Sequence, residues 1–345
     1  MSGGVDSSVA AALLLEAGYR VEGVSLRLWD SPRRDGRVCS DHRDAAAVAR
    51  HLGIAHSLID QRAEFERRVV TAFAAAYAAG RTPNPCAACN SDFKLGVLLD
   101  HALERGAELV ATGHYARVER RGTDVVLRRG IDPQRDQSYF LFGLTRRQLA
   151  HVAFPLGEWT KSAVRRRAAE LGLPVAGKPD SQDLCFGDPA ALVRSRALGG
   201  KAGEIVDGEG RGIGRHGGIE RFTIGQRRGL GVAGRAPLYV QALDAPGARV
   251  IVGVRPPRAG GFVAGGWSWI AAPPAPGEWV AVQVRYRQPP LAARIAPIEG
   301  GRRARVELAR PAVAAAPGQA VVVYRDDEVL GGGWIEQPLA AEGVA

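Results

Sequence analysis

Apolar and polar positions follow two different patterns along this 345-residue chain. Up to about residue 190, segments with a helical repeat of apolar positions alternate with short apolar runs, and the first helical stripe consists of Val9, Ala12, Leu13 and Ala17. The pattern predicts helices at 7–17, 44–52, 64–79, 93–105 and 160–172, and strands at 21–28, 56–60 and 109–112. Such alternation is typical of a parallel sheet covered on both faces. We therefore predict a doubly wound α/β domain over residues 1–190.

The pattern changes after about residue 200, where glycine and proline separate short apolar runs at 249–254, 279–287, 303–308 and 320–324. Val280, Val282 and Val284 alternate with less apolar residues, which predicts a half-buried antiparallel strand. We predict a C-terminal β-barrel at 258–345 and a small, mainly-β central domain at 191–257. Within the central domain, the sequence Phe-Thr-Ile-Gly-Gln-Arg-Arg-Gly-Leu-Gly at 222–231 is either part of a solvated connector or a surface that follows an RNA backbone.

Composition narrows the class of protein. A hydrophobic content of 46% excludes a disordered chain. No apolar run approaches the ~20 residues of a membrane span, and the start shows no secretory signal, so we expect a cytoplasmic protein without membrane association. The net charge is +10, and only four of the 46 basic residues are lysines. Guanidinium binds phosphate at two points, which suits a nucleic-acid partner, although a GC-rich genome would produce the same excess of arginine.

The residues Ser2-Gly3-Gly4-Val5-Asp6-Ser7-Ser8 run directly into the first predicted helix, which indicates a phosphate-binding loop. The glycines let backbone amides approach an anion, the hydroxyls can donate hydrogen bonds, and the helix N-terminus attracts negative charge. The spacing differs from the common nucleotide fingerprints. Loops of this kind follow a β-strand, yet only Met1 precedes Ser2, so we expect that the first strand is missing and that the native chain starts upstream.

The four cysteines are too few for a disulfide framework, which directs attention to metal or redox chemistry. The sequence Thr-Pro-Asn-Pro-Cys-Ala-Ala-Cys-Asn at 82–90 predicts a stiff turn that holds Cys86 and Cys89, a pair that is half a metal site or a redox pair. Cys185 ends a polar loop at 178–187 and needs a basic or metal partner to become reactive. Cys39 follows three arginines, and we interpret it as a bystander.

Two further segments carry polar groups where a ligand could bind. Ala-Thr-Gly-His-Tyr at 111–115 ends a predicted strand, and ligands bind at the carboxyl ends of parallel strands. Gly113 would permit close backbone approach, while His114 either contacts a ligand or caps the strand. The run Arg-Asp-Gln at 135–137 combines phosphate-binding and base-reading side chains.

Taken together, these motifs resemble the tRNA-specific 2-thiouridylase family over essentially the whole chain. SGGVDSS, TPNPCxxCN, ATGHY, DQSYFL, SQDxCF, FTIGQRRGLG, VRYRQ, PGQ and VLGGGWI occur in the family's order. SGGVDSS is shared with other adenylating enzymes, whereas TPNPCxxCN together with SQDxCF is specific to this family. The resemblance implies an N-terminal PP-loop domain similar to adenine nucleotide hydrolases, and a tRNA-uridine 2-sulfurtransferase that thiolates the wobble uridine of tRNA with ATP.

The resemblance also implies a mechanism and a set of site residues. ATP adenylates the uridine 2-carbonyl oxygen, and sulfur then displaces AMP. Cys89 matches the nucleophile and Cys185 the persulfide carrier, and a Cys89–Cys185 disulfide closes the cycle. Asp6 would hold Mg²⁺. The residues matched to ATP binding are Met1, Ser2, Gly3, Gly4, Val5, Asp6, Ser7, Leu26 and Gly113; those matched to the target base are Asn84, Pro85 and Cys86; those matched to tRNA are His114, Arg135, Asp136, Gln137, Arg285, Tyr286 and Gln319.

Several alternatives remain open at this point. Cys86 stands where some relatives carry an aspartate that has been assigned as a general base, and Cys86, Cys89 and Cys185 could instead hold a 4Fe-4S cluster whose open iron binds sulfide. We favour the persulfide, because the cluster rests on ligand count alone. A PP-loop ligase or amidotransferase acting on a small metabolite, or a non-catalytic tRNA-binding protein, are the other candidates. The expected partners are the tRNAs for Lys, Glu and Gln, and a sulfur donor such as a cysteine desulfurase or relay protein.

Overall fold

The computed structural model describes residues 1–30, 42–122, 124–180, 184–196, 198, 201–232, 236–313 and 315–340. Cys39, and residues 181–183 of the SQDxCF motif, lie outside the described residues. Within the described part, no helix is both long and apolar enough to span a membrane.

The described residues form helices and strands in the following order along the chain. The α-helices are α1 (Val5–Glu16), α2 (His42–Leu52), α3 (Arg62–Phe65), α4 (Thr71–Ala78), α5 (Pro85–Ala88), α6 (Leu95–Glu104), α7 (Arg146–Ala150), α8 (Lys161–Glu170) and α9 (Pro189–Ser195). The strands are β1 (Glu22–Arg27), β2 (Ala55–Asp60), β3 (Val110–Ala111), β4 (Ala116–Arg121), β5 (Asp124–Arg129), β6 (Val152–Ala153), β7 (Gly203–Val206), β8 (Gly212–His216), β9 (Tyr239–Asp244), β10 (Arg249–Gly253), β11 (Arg258–Trp269), β12 (Val280–Gln283), β13 (Leu291–Ile298), β14 (Arg303–Val313), β15 (Ala320–Arg325) and β16 (Glu328–Leu339).

The N-terminal region has the predicted α/β character with parallel strands. β1 pairs with β2, and β3 pairs with β6, both in parallel. The apolar stripes of α1 and α8 meet in one core around Val9 and Val164. Met1 lies beside β1, where its carbonyl oxygen accepts a hydrogen bond from Ser25 Oγ at 2.7 Å. The predicted parallel α/β region is therefore confirmed, with element ends shifted by a few residues.

Two predicted helices are interrupted by π-helical turns. The helix predicted at 64–79 consists of α3, the π-turn Glu66–Val70 and α4. The predicted stiff turn around the two cysteines is wrong, because helix begins at α5 and continues through the π-turn Cys89–Lys94 into α6. Asn84 caps α5 with its side chain and Pro85 occupies the first helical position, where proline is well tolerated. Asn84 and Pro85, which we interpreted as loop residues, thus mark the start of a helix.

The central region is mainly β, as predicted, with strand order β8-β7-β10-β9. The C-terminal strands β11, β14, β13, β12, β15 and β16 form a barrel, which closes where β11 pairs with β16. The valines at 280, 282 and 284 are buried in the barrel core, as predicted. The strand predicted at 279–287 is shorter than expected, because β12 ends at Gln283 and the chain turns through Arg287, whose φ is 63°.

The hairpin β4–β5 was not predicted, and it joins the N-terminal region to the barrel. β5 extends the barrel sheet by pairing with β16 at Arg128 and Glu328. Arg117 Nη2 lies 2.6 Å from Asp327 Oδ2, and Arg128 pairs with the other oxygen of the same carboxylate. The local sequence did not reveal this hairpin because its charged face is satisfied by an aspartate about two hundred positions away.

Candidate active site

The Ser/Gly loop forms a turn at the N-terminus of α1. Gly3 has a φ of 68°, in the left-handed region that favours glycine, and the extended Gly4 precedes the helix. Ser8 Oγ donates to the Gly4 carbonyl at 2.8 Å, and Ser7 Oγ donates to the same oxygen at 3.2 Å. The N-cap residue Gly4 has no side chain that could bond the first amides of α1. An anion can therefore occupy the position of the cap.

Gly113 brings the end of β3 against this loop. A Cβ atom at Gly113 would lie 2.7 Å from the backbone of Asp6 and of Ser7, so no larger residue fits without displacing the loop. The structure thus places Gly113 beside the loop residues with which it was predicted to form an ATP site. Leu26 is buried on β1 in the apolar cluster that also contains Cys89. It therefore lies on the side of β1 that faces the cysteine region.

A buried lysine joins the loop to two carboxylates. Lys161 Nζ donates to both oxygens of Asp6, at 2.7 and 2.8 Å, and lies 2.9 Å from Asp180. Its side chain is only 9% exposed. The Tyr115 hydroxyl donates to Asp6 Oδ1 at 2.8 Å, and burial together with the Asp6 charge raises the pKa of Tyr115. Sequence reasoning missed Lys161, although the scarcity of lysine in this arginine-rich chain was a usable signal.

The segment that leads to Cys185 is anchored to the same loop. Lys178 Nζ donates to the Gly3 carbonyl at 2.9 Å and pairs with Asp44. Asp180 also pairs with Arg135 at 2.8 Å and with Arg165 at 2.7 Å. Burial alone would raise the pKa of Asp180, but the hydrogen bond from Lys161 and the surrounding cations hold that pKa below its usual value. The Ser/Gly loop and the segment that leads to Cys185 are therefore connected through ionic contacts.

Asp6 is the carboxylate at the Ser/Gly loop, and it does not belong to a ligand cluster among the described residues. Among the described residues, no group of three or more His, Cys, Asp or Glu side chains is arranged to hold a metal ion. The 4Fe-4S alternative therefore receives no support from the structure. Mg²⁺ usually needs only one or two carboxylates when phosphates supply further ligands. Asp6 is the carboxylate nearest the loop, and its oxygens at present accept hydrogen bonds from Lys161 and Tyr115.

The two cysteines of the CxxC pair differ in exposure. Asn84 Oδ1 accepts a hydrogen bond from the Ala87 amide at 3.3 Å and fixes the start of α5. Cys86 is exposed on this helix and Cys89 is buried. The i→i+5 hydrogen bonds of a π-turn bring two residues that are five positions apart towards the same face of the helix. In the π-turn Cys89–Lys94, these two residues are Cys89 and Lys94. The π-turn thereby places an ammonium group on the cysteine side of the helix.

The third cysteine approaches this pair. Cys185 is half-buried and packs against the apolar cluster that contains Cys89, and no disulfide links Cys86, Cys89 and Cys185 to one another. Burial is the main reason why the pKa of Cys89 is raised to about 11. The nearby Cys185 raises this pKa further, whereas the positive charge of Lys94 lowers it. Partial loss of hydration also raises the pKa of Cys86, although the residue is open to solvent. Cys89 is therefore protonated at neutral pH in this state.

The residues predicted to contact tRNA have different environments. Burial lowers the pKa of His114 to about 4, with Lys94 adding to the shift, so the imidazole is neutral, and its Nδ1 lies 2.8 Å from Thr112 Oγ1. Asp136 is buried, pairs with Arg129 at 2.8 Å and accepts from two backbone amides, so it shapes its loop rather than facing the surface. Gln137 Oε1 accepts from the Tyr115 amide at 3.0 Å.

The predicted tRNA contacts from the barrel lie near the start of the cysteine helix. Gln319 Nε2 donates to the Thr82 carbonyl at 2.5 Å. The Tyr286 ring lies 4.6 Å from the Phe140 ring, and Arg285 lines a cavity that Gln319 and Thr82 also border. The barrel thus lies against the start of the cysteine helix close to Asn84, whereas Arg135 lies with Asp180 near the Ser/Gly loop.

The chain is similar to known proteins over nearly its whole length. Three family models match the chain: the tRNA methyl transferase HUP domain over residues 1–188, the tRNA methyl transferase PRC-barrel domain over 195–254, and the aminomethyltransferase beta-barrel domain over 259–335. The tRNA-specific 2-thiouridylase MnmA of Syntrophotalea carbinolica is 48% identical over 341 residues, which cover 97% of each chain. The protein of the same name from Geobacter metallireducens is 46% identical over 98% of this chain and 96% of its own.

Proposed function

This chain belongs to the tRNA-specific 2-thiouridylase family, and from that premise we propose that it thiolates the 2-position of the wobble uridine in tRNA with the use of ATP. The observation that carries the proposal is a continuous set of contacts between the Ser/Gly loop and the cysteines. A nucleotide loop at one end is linked through Lys178 and Asp180 to the segment of Cys185, and Cys185 packs against the cluster of Cys89 at the other end.

The nucleotide end is suited to bind ATP as a substrate. The uncapped amides of α1 and the hydroxyls of Ser2 and Ser7 supply donors for phosphate oxygens. Lys161 and Lys178 lie at the same loop and offset the phosphate charge. Asp6 would hold Mg²⁺, which supplies charge neutralisation when it arrives with ATP. At this end the uridine 2-oxygen attacks the α-phosphorus of ATP and pyrophosphate leaves, so that the poor leaving group becomes AMP.

The cysteine end supplies the sulfur. The terminal sulfur of a persulfide on Cys185 attacks C2 of the adenylated uridine, and AMP leaves with the electrons of the C2–O bond. The Cys89 thiolate then attacks the Cys185 sulfur, and cleavage of the S–S bond leaves 2-thiouridine and a Cys89–Cys185 disulfide. A dithiol reductant regenerates both thiols. The shared cluster of Cys89 and Cys185 supports this scheme, since a disulfide requires close approach. We expect the tRNAs for Lys, Glu and Gln as substrates, and a cysteine desulfurase or relay protein as donor.

Nucleoside mass spectrometry tests the proposal directly. We expect that tRNA from cells whose only copy of this enzyme carries Cys185→Ser lacks 2-thiouridine, whereas Cys39→Ser, a matched change outside the motifs, leaves the modification in place. Undiminished 2-thiouridine with Cys185→Ser would contradict the mechanism. A ligase or amidotransferase acting on a small metabolite predicts no change in either variant, and a non-catalytic binding protein predicts salt-dependent tRNA binding that is indifferent to ATP and to Cys185.

A further inference from the structure

Three thiols lie near one another at the cysteine end of the site, and the proposed chemistry uses only two of them. Cys89 and Cys185 carry out the sulfur transfer, whereas Cys86 takes no part in the bonds that form and break. Cys185 packs against the apolar cluster that contains Cys89, and it interacts electrostatically with both thiols of the CxxC pair. The third thiol therefore lies where it can react with the other two.

The helix start holds Cys86 and Cys89 one turn apart. The Cys89 amide, at the junction of α5 and the π-turn, donates to the carbonyls of Cys86 and Pro85. Helical residues three positions apart have Cβ atoms about 5–6 Å from each other, and a disulfide needs about 3.5–4.5 Å. A small tightening of this turn brings the two sulfurs to bonding distance. The geometry thus suits the redox pair that the CxxC spacing predicts.

The three sulfurs differ in how easily a second protein reaches them. Cys89 is only 4% exposed, Cys185 is half-buried, and Cys86 is exposed. A disulfide between Cys89 and Cys185 therefore has one sulfur enclosed by apolar side chains and the other partly covered. Thiol–disulfide exchange requires the attacking thiolate to approach one sulfur of the bond directly, so access controls its rate. A disulfide that includes Cys86 presents an exposed sulfur to a protein reductant.

Electrostatic interactions favour Cys86 as the attacking thiol after sulfur transfer. Loss of hydration raises the pKa of Cys86, Lys94 lowers it, and Cys185 raises it. Once Cys185 is bound in a disulfide it carries no thiolate charge, so its contribution disappears while that of Lys94 remains. The pKa of Cys86 is therefore lower in the oxidised enzyme than in the reduced one. Its reactive thiolate becomes more abundant when there is a disulfide to attack.

We propose that Cys86 is a third catalytic thiol, which transfers the disulfide from the buried sulfurs to the protein surface after each turnover. The Cys86 thiolate attacks the Cys89 sulfur of the Cys89–Cys185 disulfide, the S–S bond breaks, and Cys185 leaves as a thiolate that takes up a proton. One disulfide is exchanged for another, so this step needs no reductant. A protein dithiol then attacks the exposed Cys86 sulfur, supplies two electrons and two protons, and becomes a disulfide itself. The inference rests on the proposed function, which supplies the Cys89–Cys185 disulfide.

Disulfide mapping after a single turnover tests this exchange. Full-length enzyme with Cys39→Ser is loaded with a persulfide on Cys185 and given ATP and tRNA without reductant. It is then alkylated with N-ethylmaleimide, and its peptides are analysed by mass spectrometry. We expect most of the oxidised protein to contain a Cys86–Cys89 disulfide with Cys185 alkylated, whereas additional Cys86→Ser leaves a Cys89–Cys185 disulfide. A disulfide that stays at Cys89–Cys185 although Cys86 is present, or one between Cys86 and Cys185, would overturn the inference.

A second measurement does not depend on thiolation. The same two proteins are oxidised with oxidised glutathione, which accepts the two electrons, and are then reduced with thioredoxin as the protein dithiol. We expect Cys86→Ser to be reduced about tenfold more slowly, because thioredoxin must then reach a covered sulfur. Equal rates would show that thioredoxin attacks Cys185 directly and would refute the role of Cys86.

Two further variants separate the thiol from the packing of the helix. Cys86→Ala should be reduced as slowly as Cys86→Ser, since both lack the third sulfur. Ala88→Ser introduces a hydroxyl on the same short helix but keeps all three thiols, and it should be reduced at the unsubstituted rate. A slow Ala88→Ser protein would assign the effect to helix packing. Failure of the unsubstituted enzyme to thiolate tRNA would contradict the proposed function, while the reduction rates would still decide whether Cys86 takes part in the exchange.

Discussion

The Ser/Gly loop and the cysteine region, the two ends of the candidate site, differ in how their charged and ionisable groups are held. At the nucleotide loop, Lys161 is held by the carboxylates of Asp6 and Asp180, and these contacts are 2.7 to 2.9 Å long. At the cysteine end, Cys89 is buried among apolar side chains, and burial raises the pKa of its thiol to about 11. One end already holds its charges in place, whereas the other keeps its nucleophile neutral.

This difference indicates when each end becomes active. Preorganised cations and uncapped amides bind an anion without prior rearrangement, so the nucleotide loop is ready for ATP. A buried thiol with a raised pKa resists oxidation and unwanted alkylation, because the thiolate is the reactive form. Lys94 opposes that shift, and any movement that brings Lys94 closer or admits water lowers the pKa of Cys89. Cys89 therefore needs such a change in its surroundings before it becomes a thiolate at neutral pH.

The largest effect is expected for Lys161→Met, which tests the charged end. The substitution removes the cation that Asp6 and Asp180 share, while Asp180 keeps Arg135 and Arg165, so we expect the free energy of unfolding to fall by about 2 kcal/mol. We also expect weaker binding of a non-hydrolysable ATP analogue. Urea unfolding and calorimetric titration measure the two effects. Lys201→Met is the control, since Lys201 is exposed. If Lys161→Met kept the stability and the nucleotide affinity of the wild type, Lys161 would not be the residue that organises the charged end of the site.

A smaller effect is expected for Lys94→Met at the cysteine end. Because Lys94 lowers the pKa of Cys89, its loss should raise that pKa further, and each pKa unit lowers the thiolate fraction at fixed pH about tenfold. We expect the rate of Cys89 alkylation at mildly alkaline pH to fall by up to about tenfold. The measurement uses protein in which the other three cysteines are serine.

Two companion variants decide whether charge is the cause. Lys94→Arg keeps the positive charge at the end of the π-turn and should restore most of the alkylation rate. Lys201→Met, which removes a distant exposed lysine, should leave the rate unchanged. An equal loss with Lys94→Arg and Lys94→Met would show that helix packing, rather than the ammonium charge, controls the thiol.

The sequence predicted the nucleotide loop because its determinants are consecutive residues. Gly3, Gly4 and the apolar stripe of the first helix are all contained in one short segment. The counter-charges were not predictable from that segment, since Lys161 and Lys178 follow it by more than 150 positions. The scarcity of lysine was the available signal, but which lysine meets which carboxylate depends on the packing of α1 against α8.

The cysteine end was predicted in its residue types but not in its local geometry. Asn84 and Pro85 were interpreted as loop residues, although an N-cap followed by proline is also a helix start. The π-turn that brings Lys94 towards Cys89 leaves no marker in the sequence. Its register depends on tertiary contacts such as Phe93 against Phe65, whose rings are 5.7 Å apart. Local patterns therefore indicated the chemistry, and long-range packing determined its arrangement.

The smallest effect is expected for Asp327→Asn, which weakens the link between the N-terminal hairpin and the barrel. Asp327 pairs with Arg117 and Arg128, but its own side chain is 38% exposed, and exposed pairs contribute at most about 1 kcal/mol. For a chain of this length we expect the melting temperature to fall by less than about 2 °C. The difference should shrink at high salt, because ions screen exposed charges.

Glu170→Gln is the matched control for Asp327→Asn, since it removes one exposed ion pair, with Arg167, near the end of α8. If Asp327 only adds a surface ion pair, both variants behave alike and thiolation is unaffected. If Asp327 instead fixes the barrel against the N-terminal region, Asp327→Asn raises KM for tRNA while Glu170→Gln does not, because Gln319 reaches Thr82 only from a correctly placed barrel. A rise in KM without a matching loss of melting temperature would identify the hairpin as a positioning element for tRNA, a third contribution beside the charged and the apolar ends of the candidate site.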